Sequence, residues 1–275
     1  MVTGRADIVA GLRRRIARGE PILLAGAGNG LVARAAAASD VDVLMTYNIA
    51  KFRLDGQSSL MGYLPYGDAN ALTFELAGRI IPASNGVPVV GGIGAQDPYR
   101  GADLLLDLAV AAGLSGVTNT PTVGTYDGGF RATLEAQGLG FDREVAFLGR
   151  AVERDVFTVG YGFSPADCAA LAGVGVDVIA THLGTTGPAA DRTAALEDAI
   201  SRSDEMAAAA RAINPDVLVV AHGGPLEDPQ TVAAVLERST LQGYLAGSSL
   251  ERIPIDRSLR AVGSQFRELR LRTTT

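Results

Sequence analysis

Eight short apolar runs recur along the chain, and each is followed by a stretch with the apolar spacing of an amphipathic helix. The runs are rich in Val, Ile and Leu without polar alternation, which is typical of strands buried on both faces of a parallel sheet. Eight strand–helix units predict an α/β protein with a (β/α)8 TIM barrel, the alternative being an open doubly wound sheet. The predicted strands lie within 21–28, 41–48, 87–94, 116–122, 157–163, 176–184, 216–224 and 241–249.

Helices are predicted between these strands, and one more precedes the first strand. The N-terminal segment has apolar residues at Ile8, Leu12 and Ile16, and we expect this helix to close the bottom of the barrel. A chain of 275 residues, 47% of them hydrophobic, can bury one large core, so a single domain over 1–275 is predicted. The other predicted helices lie near 29–39, 69–81, 101–113, 129–138, 144–154, 165–174, 193–213, 229–239 and 255–270.

Composition excludes several classes of partner. The formal net charge of −6 argues against nucleic-acid binding, which needs clustered basic residues. No run of about 18 apolar residues occurs without a charge or a breaker, so no membrane span is predicted. The single cysteine, Cys168, cannot form an internal disulfide and lies in a helical pattern. We therefore expect a buried thiol and a reducing, cytoplasmic location.

The two histidines of the chain, His182 and His222, each end a predicted strand, the sixth and the seventh. In a parallel barrel these strand ends face one mouth, where such barrels keep their chemistry. Imidazole takes and gives protons near neutral pH, so His182 or His222 is predicted to activate water or to protonate a carbanion. His182 is favoured for proton transfer or metal binding, and the alternative role of His222 is to hold the substrate or its own loop.

Other polar side chains follow the predicted strands at the same mouth. Asn48, Asn119 or Gln96 is predicted to stabilise a developing oxyanion. Asp97 is predicted to orient an imidazole or to bind a metal. The remaining polar residues predicted to contact substrate at these strand ends are Thr122 and Tyr161.

A segment of roughly twenty residues follows the second strand, and connections of this length are usually functional or disordered. Its aromatic and aliphatic residues disfavour disorder. We predict a packed lid that closes over a ligand or forms a subunit contact, and the alternative is a structural plug. The predicted substrate-binding residues of this lid are Lys51, Arg53, Ser58, Asp68 and Asn70.

The loops after strands seven and eight are expected to hold an anionic group. Ser248 and Ser249 follow strand eight, and an HGGP turn follows strand seven. These two loops often form a phosphate site in TIM barrels through backbone N–H groups and small hydroxyls. The group is predicted to be a phosphate, a phosphonate or a carboxylate, and helix capping is the alternative role of either serine. The glycines predicted at this site are Gly223 and Gly247.

Several long motifs, taken in order, resemble the TIM-barrel family called phosphoenolpyruvate hydrolase-like. They are YNIAKFRLDGQSSLMGYLPYGDAN, GVTNTPTVGTYDGGFRATLEAQGLGFDREV, THLGTT, HGGP and GSSLERIP. The resemblance extends from about residue 8 to 268. It implies a fold similar to the phosphoenolpyruvate mutase and isocitrate lyase group. Some members are named as phosphonopyruvate hydrolases, and a related domain forms part of a plant antiviral inhibitor protein.

The chain departs from this family at the lid and after THLGTT, and it lacks the paired carboxylates with which enzymes of the mutase group hold Mg²⁺. Where the family usually reads YNSGR, the chain has YNIAK, ending in Lys51. Lysine lacks the fork with which arginine holds a carboxylate, so a different substrate is expected. The family's glycine-rich continuation of THLGTT is replaced by GPAADR, and no Asp-x-Asp pair occurs in strands three or four. The cofactor therefore stays unknown, with Mg²⁺ as one option.

The leading functional hypothesis is a hydrolase or lyase that acts on a small oxo-acid or enol-type substrate. The first alternative is a C–C bond hydrolase of the retro-Claisen or retro-aldol type acting on a β-dicarbonyl compound. A Schiff base on Lys51 is a further option. The non-enzymatic alternative is a barrel that senses a ligand or binds a partner. A small-molecule substrate and a homo-oligomer are expected under the leading hypothesis.

Overall fold

The structure, a computed structural model, describes residues 3–186 and 190–271. Eight parallel strands close into a barrel in sequence order, and the first strand is hydrogen-bonded to both the second and the eighth. The predicted (β/α)8 barrel is confirmed, and the open doubly wound sheet is wrong. The strands are β1 (Ile22–Gly26), β2 (Val43–Thr46), β3 (Val89–Gly92), β4 (Gly116–Thr118), β5 (Phe157–Gly162), β6 (Val178–His182), β7 (Leu218–His222) and β8 (Gly243–Ala246).

Helices surround the barrel in the described part of the chain, and every predicted helix is present with ends that shift by a few residues. Cys168 lies fully buried in one of them, as predicted. Across the described ranges, no helix combines the length and the apolarity needed to cross a bilayer. The helices are α1 (Arg5–Ala17), α2 (Gly30–Ala38), α3 (Asn48–Leu54), α4 (Ala69–Ile80), α5 (Ala102–Ala111), α6 (Gly128–Ala136), α7 (Phe141–Glu153), α8 (Pro165–Gly173), α9 (Arg192–Ile213), α10 (Pro229–Arg238) and α11 (Arg252–Glu268).

Two apolar layers result from the alternation of side chains along each strand. Leu24 and Phe157 belong to the interior layer, whereas Leu44 packs in the layer between the sheet and the helices. Ile8 and Leu12 of α1 join the interior layer. The N-terminal helix therefore closes the bottom of the barrel, as expected, and the opposite end stays open for a site.

The segment between β2 and α4 is more regular than a lid without secondary structure. It contains the seven-residue helix α3 and a 3₁₀ turn over Ser59–Tyr63. Nδ2 of Asn48 donates to the carbonyl oxygen of Gly62 at 2.8 Å, and a Cβ on Gly62 would lie 2.3 Å from Cγ1 of Ile49. The helix and the turn are thus packed in contact. A helix of seven residues is shorter than the window over which apolar periodicity is read, so the sequence did not reveal it.

The last helix, α11, lies on the surface with no buried residue. An apolar row runs along it, and the described residues do not show what covers this row. The predicted homo-oligomer therefore stays a prediction. The exposed apolar residues in the row are Leu259, Val262, Phe266 and Leu269.

Candidate active site

A cavity of about 710 Å³ opens at the carboxyl ends of the strands. This volume is in the range of small-molecule sites. The end opposite α1 is where barrel enzymes place their reacting groups, because the loops after the strands converge there. The residues that end or directly follow strands and line this cavity include Tyr47, Thr120, Tyr161, His182, His222 and Gly247.

The two histidines meet at the floor of this cavity. His182 and His222 are paired in register on β6 and β7, and their ring centroids are 4.8 Å apart. The ring of Tyr161 is 5.1 Å from that of His222, and the ring of Phe163 is 4.5 Å from that of His182. The prediction that both histidines lie on adjacent strands at one mouth is confirmed.

Burial keeps both imidazoles neutral at pH 7. Desolvation, with a smaller contribution from Arg53, lowers the pKa of His222 to about 4. Desolvation and the neighbouring His222 lower the pKa of His182 well below its ordinary value. Burial also raises the pKa of Tyr161 well above its usual range, so its hydroxyl stays protonated. The floor of the cavity thus presents neutral groups that can donate or accept a proton.

A buried ion pair joins the lid helix α3 to the loop after β8. Nε of Arg53 donates to Oε2 of Glu251 at 2.7 Å, and Nη2 donates to the hydroxyl oxygen of Tyr47 at 3.2 Å. Although desolvation opposes it, Glu251 raises the pKa of Arg53 above its ordinary value, so the guanidinium stays charged. A Cβ on Gly26 would lie 3.0 Å from the Tyr47 hydroxyl and 3.2 Å from Glu251. Glycine at the end of β1 therefore makes room for this cluster.

The charged side chains in the described wall of the cavity are arginines. Arg53, Arg202 and Arg252 line it, and no Asp or Glu does so within residues 3–186 and 190–271. Glu251 forms an ion pair with Arg53, and Asp198 lies 3.3 Å from Arg202. Neither carboxylate lines the cavity itself. A wall with arginines and without carboxylates favours an anionic ligand, because the potential inside a narrow cleft attracts it.

A carboxylate that sequence reasoning missed, Glu144 of α7, organises the wall next to β4. It is fully buried and accepts hydrogen bonds from Asn119 at 2.7 Å, Thr122 at 2.6 Å, Gln96 at 3.0 Å and the backbone N–H of Val123 at 2.7 Å. Burial raises the pKa of Glu144 to about 7, against the effect of these four donors. The signal for this residue was present, since it lies in the GFDREV portion of the family motif.

Asn119 and Gln96 are consequently engaged with Glu144. Asn119 also bridges to β5, since its Oδ1 accepts from the backbone N–H of Tyr161 at 2.7 Å. Gln96 donates to Glu144 and lies in a second cleft. Both amides thus stabilise the wall between β3 and β5, and neither lines the main cavity.

The second cleft, of about 410 Å³, holds Asp97 and its neighbours. Asp97 accepts from Arg100 at 2.6 Å, from Asn70 at 2.8 Å and from two backbone N–H groups. Burial opposes the ionised form, but these donors, Arg100 first, lower the pKa of Asp97 to about 2. Asp68 caps α4 and binds Arg100 at 2.6 Å. The carboxylates of this cleft are thus engaged with Arg100, apart from the imidazoles.

The lid residues divide between the cavity and the lid's own structure. Arg53 and Ser58 line the cavity, and Ser58 also caps the 3₁₀ turn. Lys51 pairs with Asp55 at 2.6 Å on the surface and does not line the cavity. Asn48 holds the 3₁₀ turn against α3. Arg53, two residues after Lys51, is therefore the residue of this helix whose guanidinium faces the cavity.

The loops after β6 and β7 are held in close contact. Gly223 has a φ of 77°, and a Cβ there would lie 2.2 Å from the carbonyl oxygen of Gly184. Only glycine satisfies both constraints. Ser248 and Gly247 line the cavity, whereas Ser249 shares a 2.8 Å hydrogen bond with the hydroxyl of Tyr244. Of the predicted anion site, Gly247 and Ser248 thus line the cavity, whereas Gly223 and Ser249 stabilise the loops.

The cavity therefore brings together part of the predicted set. The predicted residues that line it are Arg53, Ser58, Thr122, Tyr161, His182, His222, Gly247 and Ser248. The predicted residues in the second cleft are Asp68, Asn70, Gln96 and Asp97. The predicted residues that line neither are Asn48, Lys51, Asn119, Gly223 and Ser249. Among the residues that sequence reasoning missed are Tyr47, Glu144, Arg202, Glu251 and Arg252.

The described side chains do not fit a magnesium site built from protein carboxylates. Mg²⁺ is held in proteins by oxygen ligands, usually with one or two carboxylates. Over residues 3–186 and 190–271, no group of three or more His, Cys, Asp or Glu side chains is placed to hold a metal ion. Asp97, the predicted ligand, is occupied by Arg100 and Asn70. A divalent ion stays a prediction.

Comparison with known proteins agrees with the fold. The family model described as phosphoenolpyruvate hydrolase-like matches residues 7–269. The ToMV susceptible protein tm-1(GCR26) of Solanum lycopersicum is 38% identical over 269 residues, which cover 96% of this chain and 36% of that protein. The chain thus spans about a third of the length of the curated relatives it matches first.

Two solved structures show the same barrel. Phosphoenolpyruvate phosphomutase from Streptomyces platensis subsp. rosaceus has a TM-score of 0.60 and 17% identity, and the match covers 94% of this chain and 86% of that chain. A phosphonopyruvate hydrolase in complex with oxalate and Mg²⁺ has a TM-score of 0.58 and 18% identity, with the same two coverages of 94% and 86%. At these identities the likeness concerns the fold.

The closed barrel, with a cavity at the carboxyl ends of its strands, defines a TIM barrel similar in fold to phosphoenolpyruvate phosphomutase. Sequence then narrows the assignment. The chain belongs to the phosphoenolpyruvate hydrolase-like family.

Proposed function

We propose that this protein is a hydrolase or lyase that cleaves a small oxo-acid through an enolate. One observation carries the proposal. Two neutral imidazoles, with ring centroids 4.8 Å apart, lie in a cavity whose described wall contains three arginines and no carboxylate. Imidazoles transfer protons, and cationic or N–H donors stabilise an anionic substrate and the enolate that it forms. Membership of the phosphoenolpyruvate hydrolase-like family supports the same chemistry.

Binding of the substrate follows from the position of the charges. The carboxylate of an oxo-acid is expected to contact Arg53 beside His222. Ser248 and the backbone after β8 line the same part of the cavity and are expected to donate further hydrogen bonds to it. Arg202 and Arg252 lie at the cavity wall, where a second anionic group would sit. All of these residues lie on one barrel, and we propose that the chain 1–275 works as a single domain.

A C–C bond hydrolase that acts on a β-dicarbonyl acid is the nearest rival. The observation in its favour is that Glu251 already neutralises Arg53, which leaves less positive charge at the floor for a dianion such as a phosphonate. Product analysis separates the two reactions. Release of inorganic phosphate indicates P–C or P–O cleavage, whereas a new carboxylic acid with a ketone indicates C–C cleavage.

The test is turnover by purified, folded protein. Phosphonopyruvate, phosphoenolpyruvate and β-diketone acids are supplied with and without Mg²⁺. Turnover of at least one compound is expected, with KM raised roughly tenfold in Arg202→Gln, which corresponds to the loss of one hydrogen bond between charged groups worth ~1.4 kcal/mol. Arg150→Gln is the matched control, because Arg150 pairs with Asp103 and Glu153 on the outer surface. Folded protein that turns over none of these compounds refutes the proposal.

A second candidate function is a barrel that binds a ligand or partner without turnover. It is favoured by the names of the Solanum lycopersicum relatives, which refer to susceptibility and resistance to ToMV. In that case His182→Ala and His222→Ala spare the biological activity of the protein. Substitution of Phe52 or Tyr63 in the lid would instead abolish partner binding.

A further inference from the structure

The backbone holds the two histidine rings in opposite ways. Nδ1 of His222 lies 2.7 Å from the carbonyl oxygen of Leu245. Nδ1 of His182 lies 3.1 Å from the backbone nitrogen of Gly184, whose N–H points at it. One ring therefore faces an acceptor at Nδ1, and the other faces a donor at the same atom.

These two contacts fix the tautomers. A carbonyl oxygen only accepts, so Nδ1 of His222 carries the proton and its Nε2 is a free lone pair. A backbone N–H only donates, so Nδ1 of His182 is unprotonated, and the neutral ring carries its proton on Nε2. Both rings line the cavity, and neither Nε2 has a hydrogen-bond partner among the described residues. The cavity floor thus offers one nitrogen acceptor and one N–H donor.

Arg53 is a charged neighbour of His222, and by itself it lowers the pKa of that ring. Arg53 and His222 meet over Gly247, where an added Cβ would lie 3.4 Å from Cε1 of His222 and 3.5 Å from Nη1 of Arg53. Nη1 has no hydrogen-bond partner within the described ranges, since Nε and Nη2 are taken by Glu251 and Tyr47. A carboxylate on Nη1 would lie beside His222. Its negative charge would favour the imidazolium and strengthen His222 as a base.

We propose that His222 is the general base, acting through Nε2, and that His182 is a neutral N–H donor to the enolate oxygen. This assignment rests on the proposed oxo-acid chemistry and gives each ring one role. His182 does not titrate during the reaction. His222 takes a proton and returns it.

The step balances with water as the second reactant. Nε2 of His222 removes a proton from water, and the oxygen of that water bonds to the electrophilic phosphorus or carbonyl carbon. The bond from that atom to the carbon next to the keto group of the oxo-acid breaks, and its electron pair forms an enolate whose oxygen accepts the N–H of His182. The imidazolium of His222 then protonates the enolate carbon. The fragments together contain the substrate plus one water, and both rings end as they began.

The first experiment reads the proton positions directly. Because the chain contains two histidines, long-range ¹H–¹⁵N correlation of protein with ¹⁵N-labelled histidine shows two ring systems, and His182→Gln leaves one of them. At pH 7 the expected spectrum has protonated Nδ1 in His222 and protonated Nε2 in His182. The same tautomer in both rings, or protonated Nε2 in His222, overturns the assignment whether or not the protein is an enzyme.

The second experiment tests the roles by substitution with glutamine, whose side-chain amide places an N–H donor near the position of Nε2 but is not a base. His182→Gln is expected to keep kcat within ~10-fold, whereas His222→Gln loses ~100-fold or more. His222→Asn, whose amide can still donate to Leu245, is the control for loop structure and is expected to lose as much as His222→Gln. Equal losses in His182→Gln and His222→Gln overturn the division of roles. Absence of turnover in the unsubstituted protein overturns the proposed function, and the tautomer spectrum decides the proton assignment independently.

Discussion

The ion pair between Arg53 and Glu251 is expected to be the costliest contact to break around the cavity. The two side chains are 7% and 0% exposed, and the Nε to Oε2 distance is 2.7 Å. Removing one partner of a buried pair costs about 3–5 kcal/mol, because the other charge stays buried without compensation. Glu251→Gln should therefore lower the free energy of unfolding by about 4 kcal/mol.

The same helix supplies a matched control. Lys51 and Asp55 form an i,i+4 pair at 2.6 Å, with side chains 32% and 51% exposed. Exposed pairs of this kind contribute about 0.3–0.5 kcal/mol, since water and ions screen them. Asp55→Asn should thus change the free energy of unfolding by about a tenth as much as Glu251→Gln.

A double-mutant cycle separates the charge effect from packing. Arg53→Met with Glu251→Leu leaves no buried charge, so the double variant should lose much less than the sum of the two single variants. Urea unfolding at pH 7, analysed by linear extrapolation, measures each free energy. A coupling energy within the range of exposed pairs, below about 1 kcal/mol, would refute the view that this pair is desolvated.

Three further outcomes are expected. His182 and His222 have lowered pKa values in the folded state, so the unfolded chain binds more protons below pH 6.5 and the free energy of unfolding decreases as pH falls. For His222, with a pKa of about 4, this decrease is about 3 kcal/mol. The raised pKa of Glu144 instead adds stability as pH falls from about 7, so the contribution of His222 is isolated by comparing the unsubstituted protein with His222→Gln in urea unfolding from pH 7 to 4. The same dependence of stability on pH in both proteins would contradict the lowered pKa of His222. Gly223→Ala should lower the melting temperature more than Gly56→Ala. Both glycines have positive φ (77° and 80°), but of the two only Gly223 has a neighbouring atom, the carbonyl oxygen of Gly184, within 4 Å of the new Cβ. Equal losses would show that the contact with the neighbouring loop relaxes freely. Glu144→Gln should cost about 1–3 kcal/mol in urea unfolding, because an amide NH₂ would face donors, and a neutral result would argue against the four hydrogen bonds.

The fold could be predicted because it depends on local patterns. Each strand is a short apolar run, each of the predicted helices has apolar residues at helical spacing, and eight repeats leave few ways to pair the strands. The histidines were found for the same reason. They end strands, and the ends of all strands in a parallel barrel lie at one mouth.

The site could be predicted only in part, because the faces of strands and the partners from distant elements are not local. Asn119 follows β4 as expected, but it donates to Glu144 of α7 and does not line the main cavity. Asp97 lies several residues beyond β3 and is held by Arg100. A shift of one residue reverses the face to which a side chain points, and sequence alone did not fix that register.

The sequence by itself therefore determined the barrel, the closing helix and the two histidines at its mouth. Apolar periodicity and strand ends can be recognised from residues that are close together in the sequence. The tertiary structure alone decided that Arg53 pairs with Glu251, 198 positions away. It also placed a carbonyl oxygen against Nδ1 of His222 and a backbone N–H against Nδ1 of His182. Those features depend on carbonyl and N–H groups of other strands and loops, which meet the side chains only when the barrel closes.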